Sequence, residues 1–317
     1  MKRRWLLVAK LLVMAAVVGF LAWQVHKQWF QIAHSTIQID WRFAPLGVLG
    51  FIGVFLTSGL VWLWMARRMG DRSPALALLG AYIFSQVGKY VPGKVFLLFL
   101  RIERTSRAGM APGLCTLATV LENAMYMLSG ALVAAVTLAV FVRDQPLYLV
   151  LTLAGVVLLG GAFHPMIFYR VIDLGLAKFK RPPIDAAHRL ALRHLVLAVV
   201  LFLPCWAFGG LAVWASCRSV TMNVPPTTSA VLPGAFSSSV IGGMAVAVAP
   251  GGLGSREIIL GAILNPVLTA TPAQLLLAVV LQRLFQIVAE VLLGLVGALL
   301  TARVRTPSAA ETPQHSA

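Results

Sequence analysis

GKYVPGK, residues 88–94, interrupts one of the most apolar stretches of the chain. Two lysines, two glycines and a proline stand where a membrane-spanning helix would carry leucine. Lys89 and Lys94 therefore place charge where it is most costly, roughly 2.5 to 3.5 kcal/mol each at the centre of an isolated helix. Pro92 between them removes a backbone donor and breaks the helix. The stretch 74–101 is left in two pieces of about 14 and 7 residues, each too short for a bilayer that needs about 20 helical residues. This pattern predicts a hairpin that enters the membrane and leaves it on the same side.

The surroundings agree. Of 317 residues, 59% are hydrophobic and 11% charged, far below the roughly 25% charge of a soluble domain. Apolar runs long enough to span recur at 5–25, 45–66, 111–141, 147–169, 195–215 and 273–301. They neither shorten nor alternate as barrel strands would, so the fold class is an all-α polytopic membrane protein. The first run follows Lys2, Arg3 and Arg4, but it is long for a signal core and lacks a good cleavage site, so a retained helix is expected. Pro204 and Gly209-Gly210 should bend the fifth run. A second broken stretch, 229–264, is split by PGGLGSRE at 250–257. The Pro/Ser/Thr-rich tail, 302–317, is expected to be a disordered cytoplasmic segment.

A net charge of +16 would suit nucleic acid, but the placement of the cations argues for membrane orientation instead. With the amino terminus inside and both broken stretches re-entrant, 17 of the 26 Lys and Arg face the cytoplasm. Arg67, Arg68, Arg72, Arg101, Arg104 and Arg107 are among them. The outer loops hold only Lys27, Arg42, Arg143 and Arg218, as the positive-inside rule requires. Were the first broken stretch to cross fully, the basic loop 170–194 would face out. The expected architecture is six transmembrane helices plus two re-entrant hairpins in one membrane domain, 1–301, with both termini cytoplasmic. The hairpins would enter from opposite faces, making an inverted-topology repeat of about 74–141 and 229–301.

Few charges lie at depth. Lys89, Lys94, Arg256, Arg283, Glu122, Glu257 and Glu290 fall in apolar surroundings or at a Pro-Gly break. A helix that restarts after such a break presents unpaired N–H groups and a partial positive charge. Lys94 and Arg256 sit near those starts, so two cationic hairpin tips would suit an anion, above all a phosphate. The carboxylates would hold the cations in place or take up a proton. On the purely structural alternative the lysines snorkel to the interface, and the carboxylates pair with Arg256 or Arg283 for assembly alone. Gly88 to Lys94 also fits the opening of a nucleotide-binding loop, but Val95 stands where Ser or Thr should hold magnesium and no strand precedes it. Nucleotide hydrolysis is therefore not expected. Cysteines 115, 205 and 217 and the six scattered histidines show no ligand spacing, so no metal or cofactor is expected. Ser237, Ser238 and Ser239 could line a polar cavity or bond back to helix carbonyls.

PGGLGSREIIL, from Pro250 to Leu260, resembles the Pro-Gly-Gly-x-Gly-x-x-Glu signature of the flippase-like membrane domain of bacterial lysylphosphatidylglycerol synthases. YVPGKVFLLFLR resembles that family's first Pro-Gly-basic motif, with Arg101 as its arginine, and Glu122 its acidic residue opening the next helix. The resemblance spans about 5–301. It departs at Phe96 and Leu97, where the family commonly has Gly and Glu, and at Glu122-Asn123, where it often has Glu-Arg. The first half-site is therefore expected to be less charged. The sequence ends soon after its last span, so no aminoacyl-transfer domain is expected. The resemblance implies movement of a lipid with an anionic head group between leaflets of the bacterial inner membrane. Two rivals remain: a non-transporting partner that presents lipid to a separate synthase or glycosyltransferase, and a lipid-modifying enzyme built around Ser255, beside Arg256 and Glu257.

Overall fold

The computed structural model describes residues 37–90, 95–141, 146–178, 180, 182–245 and 255–302, with Trp23 and His26 besides. Helix α1, Ala44–Arg68, opens on a proline and closes on Arg67 and Arg68, where cations favour the negative end of the helix dipole. Gly70 then takes a left-handed φ of 95°, which stops the helix at little steric cost. Arg67 donates to Asp71 and to the Ser73 carbonyl, folding the chain straight back into α2, Ala75–Ser85. A 3-10 turn, Gln86–Tyr90, extends α2, and α3 is Val95–Arg107.

α2 and α3 form an antiparallel pair. Gly88 lies against the backbone of Leu97, and Arg101 Nε donates to Ser85 Oγ at 3.1 Å. After Gly109, again with positive φ, the long α4 runs Pro112–Phe141. α5, Pro146–Ala162, and α6, Pro165–Lys178, follow. α7, Leu192–Leu201, meets α8, Leu203–Ser219, at Phe202. The short α9, Pro226–Ser229, leads to α10, Leu232–Ala245, then α11, Ser255–Leu264, and α12, Pro272–Ala302.

α10 and α11 make a second antiparallel pair, with Gly242 against Ile259 and Gly243 against Arg256. The two pairs start from opposite ends of the bundle. The α2–α3 pair starts at a basic end, where α1 and α12 finish and where Arg104 hydrogen-bonds Thr301. The α10–α11 pair starts at the other end, where Asp40 N–H donates to Ser219 O at 2.8 Å and Gln274 Nε2 to Val220 O at 3.3 Å.

Close backbone approach between helices rests on small residues, as it does in membrane bundles. Gly80 and Gly297 bring α2 and α12 together, and Gly50 lets α1 touch α8 at the Phe208 carbonyl. The core, around Trp62, Tyr82, Trp206 and Phe236, lies where these crossings meet.

Among the described residues, four helical segments are long and apolar enough to cross a bilayer: Trp41–Arg68, Pro112–Thr137, Ala186–Ser219 and Pro272–Ala302. These carry four of the six expected spans. Ala186–Ser219 is interrupted at Phe202, two residues before Pro204, one of the two expected places, while Gly209-Gly210 lies inside α8 without a break. The first expected span, 5–25, lies outside the described residues apart from Trp23, as does the tail beyond Ala302. The expected span 147–169 differs: it is two helices, broken at Phe163-His164. Pro165 has no N–H for a continuing helix and fits only its first turn.

Candidate functional site

Arg283, Gln286 and Glu290 occupy positions i, i+3 and i+7 of α12, hence one face of that helix. All three are buried. The two helical pairs deliver their charges to this face. Lys89 comes from the turn that extends α2 and donates to Glu290 Oε1, with its ammonium 4.9 Å from the centre of the Phe55 ring. Arg256 and Glu257 come from the first turn of α11, and Arg283 Nε lies 3.0 Å from Glu257 Oε1. Gln286 joins the halves. It accepts from Arg283 Nη1 at 3.0 Å and donates to Glu290 Oε1 at 2.6 Å. A continuous polar chain therefore runs Lys89–Glu290–Gln286–Arg283–Glu257.

Arg256 completes the cluster. It is within electrostatic reach of Lys89, Arg283, Glu257 and Glu290. Its stem crosses Gly243, where a Cβ would stand 2.1 Å from Arg256 Cγ. Among the described residues, Arg256 takes neither a hydrogen bond nor an ion pair. One oxygen of its neighbour, Glu257 Oε2, is buried without a hydrogen-bond partner. Three cations thus face two carboxylates, and the surplus positive charge sits on the guanidinium that has no partner among the described residues. A guanidinium so placed can take a carboxylate or phosphate through two parallel hydrogen bonds.

Glu122 stands in a different network. Arg101 Nη1 donates to Glu122 Oε2 at 2.6 Å, and the Tyr82 hydroxyl donates to Oε1. The Arg101 guanidinium lies 4.0 Å from the Tyr82 ring centre and 5.4 Å from that of Trp62. Both oxygens of Glu122 are thereby engaged, so it locks α2, α3 and α4 together and does not meet the α12 cluster. Arg101 itself corrects an expectation. It stands inside α3 and not in a loop, with a side chain only 1% exposed, and its burial is tolerated because Glu122 neutralises it. Lys94 lies outside the described residues.

Tyr82 and Gln286 were not singled out from sequence, and Arg101 was named only as a cytoplasmic cation and as the arginine of the first motif, without its partners. Gln286 had a signal, since it falls between Arg283 and Glu290 at helical spacing. Arg101 directly follows six apolar residues, which placed it equally well at a helix end or inside one. Ser237 and Ser239 donate back to Gly234 O and Phe236 O, the local of their two expected roles. The three cysteines are buried. Among the described residues no group of three or more His, Cys, Asp or Glu could hold a metal ion.

A family model described as the lysylphosphatidylglycerol synthase TM region matches residues 7–302. The chain belongs to this family. A search of curated proteins gives no match. Membership of the lysylphosphatidylglycerol synthase TM family and the four bilayer-length apolar helices together make this an integral membrane protein from a family associated with lipid handling.

Proposed function

We propose that the protein is a lipid transporter that moves a phospholipid with an anionic head group between the leaflets of a bacterial inner membrane. On this reading the α2–α3 and α10–α11 pairs are re-entrant hairpins of an inverted-topology repeat, and both termini are cytoplasmic. Arg256 binds the lipid phosphate directly. Lys94, which lies outside the described residues, is assigned to the same phosphate from its sequence motif. Lys89 and Arg283 add positive potential and are kept in place by Glu290 and Glu257. The reading assigns the chain no chemical step, so its cycle consists of binding, rocking of one repeat against the other, and release.

The observation that carries this proposal is the Arg256 guanidinium, which has no hydrogen-bond or ion-pair partner among the described residues and is set among two other cations where the two helical pairs meet α12. A cluster built only for assembly would spend each cation on a carboxylate, because an unpaired charge at depth is costly.

The test is a leaflet-exchange assay on purified protein in liposomes, following a fluorescent phosphatidylglycerol accessible to an external quencher. Wild type should equilibrate the probe. Arg256→Ala should slow exchange roughly tenfold or more, the scale of one lost charge-assisted hydrogen bond. Wild-type rates in both Arg256→Ala and Lys94→Ala would remove the phosphate-site reading. Saturable lipid binding without any exchange would favour a partner that presents lipid to a separate enzyme.

A further inference from the structure

A second place on the molecule combines unpaired positive charge with exposed apolar surface. It lies between α6 and the segment 183–189, remote in sequence from every residue of the central cluster. A cavity of about 490 Å³ opens there, lined by Met166, Tyr169, Arg170, Asp173, Leu174 and Arg189 among others. Its walls are fixed. Arg189 Nη2 donates to Asp173 Oδ2 at 2.7 Å and to Ile184 O at 2.9 Å, and the Tyr169 hydroxyl accepts from Leu190 N–H at 2.7 Å. His188 Nδ1 sits 2.7 Å from Met69 O, which ties the segment to the basic end of the bundle, beside the α1 terminus with Arg67 and Arg68.

Asp173 is taken by Arg189, so Arg170 is the surplus charge. It is exposed, and among the described residues it has no hydrogen-bond or ion-pair partner. Met166, Arg170 and Leu174 stand at i, i+4 and i+8, a single stripe of α6. Met166 is 75% and Leu174 65% exposed. A soluble anion would use the arginine and leave these two in water. An anionic phospholipid would use all three, with its phosphate on Arg170 and the first methylenes of its chains on Met166 and Leu174. Exposed Lys178, Lys180 and Arg193 nearby in the chain add to the attraction for an anionic membrane surface. Pairing of an apolar stripe with cations is also how interfacial helices bind such surfaces.

The geometry points to a surface site for an anionic phospholipid between α6 and residues 183–189, separate from the central cluster and occupied from the leaflet at the basic end. The experiment places a photo-crosslinking amino acid at Met166 of the full-length protein in detergent micelles doped with phosphatidylglycerol or phosphatidylcholine. Captured lipid is read by mass spectrometry of the intact chain. Phosphatidylglycerol should be captured at least fivefold more than phosphatidylcholine. Arg170→Gln should abolish that preference, Arg170→Lys should keep most of it, and Arg256→Ala should leave it unchanged. Because Arg170 is exposed and has no hydrogen-bond or ion-pair partner among the described residues, neither replacement removes a contact seen in the fold.

Equal capture of the two lipids would overturn the proposal by reducing the groove to ordinary lipid-facing surface. Loss of capture on adding millimolar inorganic phosphate would also overturn it, by making the site one for free anions. Loss of capture in Arg256→Ala would assign the signal to the central cluster. A failed leaflet-exchange assay, by contrast, bears only on the transport reading and leaves this site standing.

Discussion

Arg256 and Arg101 are both arginines at depth, yet their surroundings give them opposite roles. Arg101 spends its guanidinium on Glu122, Ser85 and the Tyr82 ring, so removing it strands a buried carboxylate. Arg101→Met should therefore destabilise by about 3–5 kcal/mol, seen as a lowered unfolding temperature in detergent. Arg101→Met combined with Glu122→Gln should recover part of the loss. Arg256 has nothing comparable to lose, so Arg256→Ala should unfold near the wild-type temperature and show its effect in lipid exchange. Gly243 gives a second route to the same conclusion. Its missing Cβ is where the Arg256 stem lies, so Gly243→Ala should move that stem and slow exchange without touching a charge. Wild-type exchange in Gly243→Ala would mean that the position of Arg256 does not matter.

At the scale of elements, α12 organises the site because both helical pairs pack on it. The fit against α2 is set by glycine. A Cβ on Gly297 would lie 2.8 Å from Gly80 O and 2.8 Å from Phe84 N, and backbone atoms cannot rotate away. Gly297→Leu should separate α2 from α12, cost about 1–3 kcal/mol or more, and loosen the Lys89–Glu290 pair that depends on this contact. Gly155→Leu is the control, since a Cβ there meets nothing within 4 Å. Thermal unfolding of the two variants side by side measures the difference, and equal stabilities would refute the packing argument. The same scale explains the divided span. Periodic apolarity is continuous through 147–169 and fits one helix by composition, but Pro165 imposes a new first turn that hydropathy does not register.

For the whole molecule, the arrangement places the α2–α3 pair at one end of the bundle and the α10–α11 pair at the other. Topology can be tested with cysteines, because Cys115, Cys205 and Cys217 are all buried and give a quiet background. Arg72→Cys and Asn223→Cys, both at exposed positions, should react with a membrane-impermeant maleimide from opposite faces of intact membranes. Labelling from the same face would break the orientation on which the inverted repeat and the transport cycle depend.

Composition, the length of the apolar runs and the two Pro-Gly breaks were enough to read a polytopic helical membrane protein with charges at depth, because the cost of polar groups in hydrocarbon acts on sequence directly. They also sufficed to single out Lys89, Arg256, Arg283, Glu257 and Glu290, which the fold brings into one cluster. Partner choice was not legible in this way. Whether Glu122 serves the cluster or Arg101, and which arginine is left over, depends on contacts such as Arg101–Glu122, Lys89–Glu290 and Gly243–Arg256. Lys89–Glu290 joins segments 201 residues apart, while Arg101–Glu122 and Gly243–Arg256 form within a hairpin or between a hairpin and the next helix, where side-chain packing and not sequence spacing selects the partner. Burial cost marks which residues need a partner, but only the packing of helices against one another decides who the partner is.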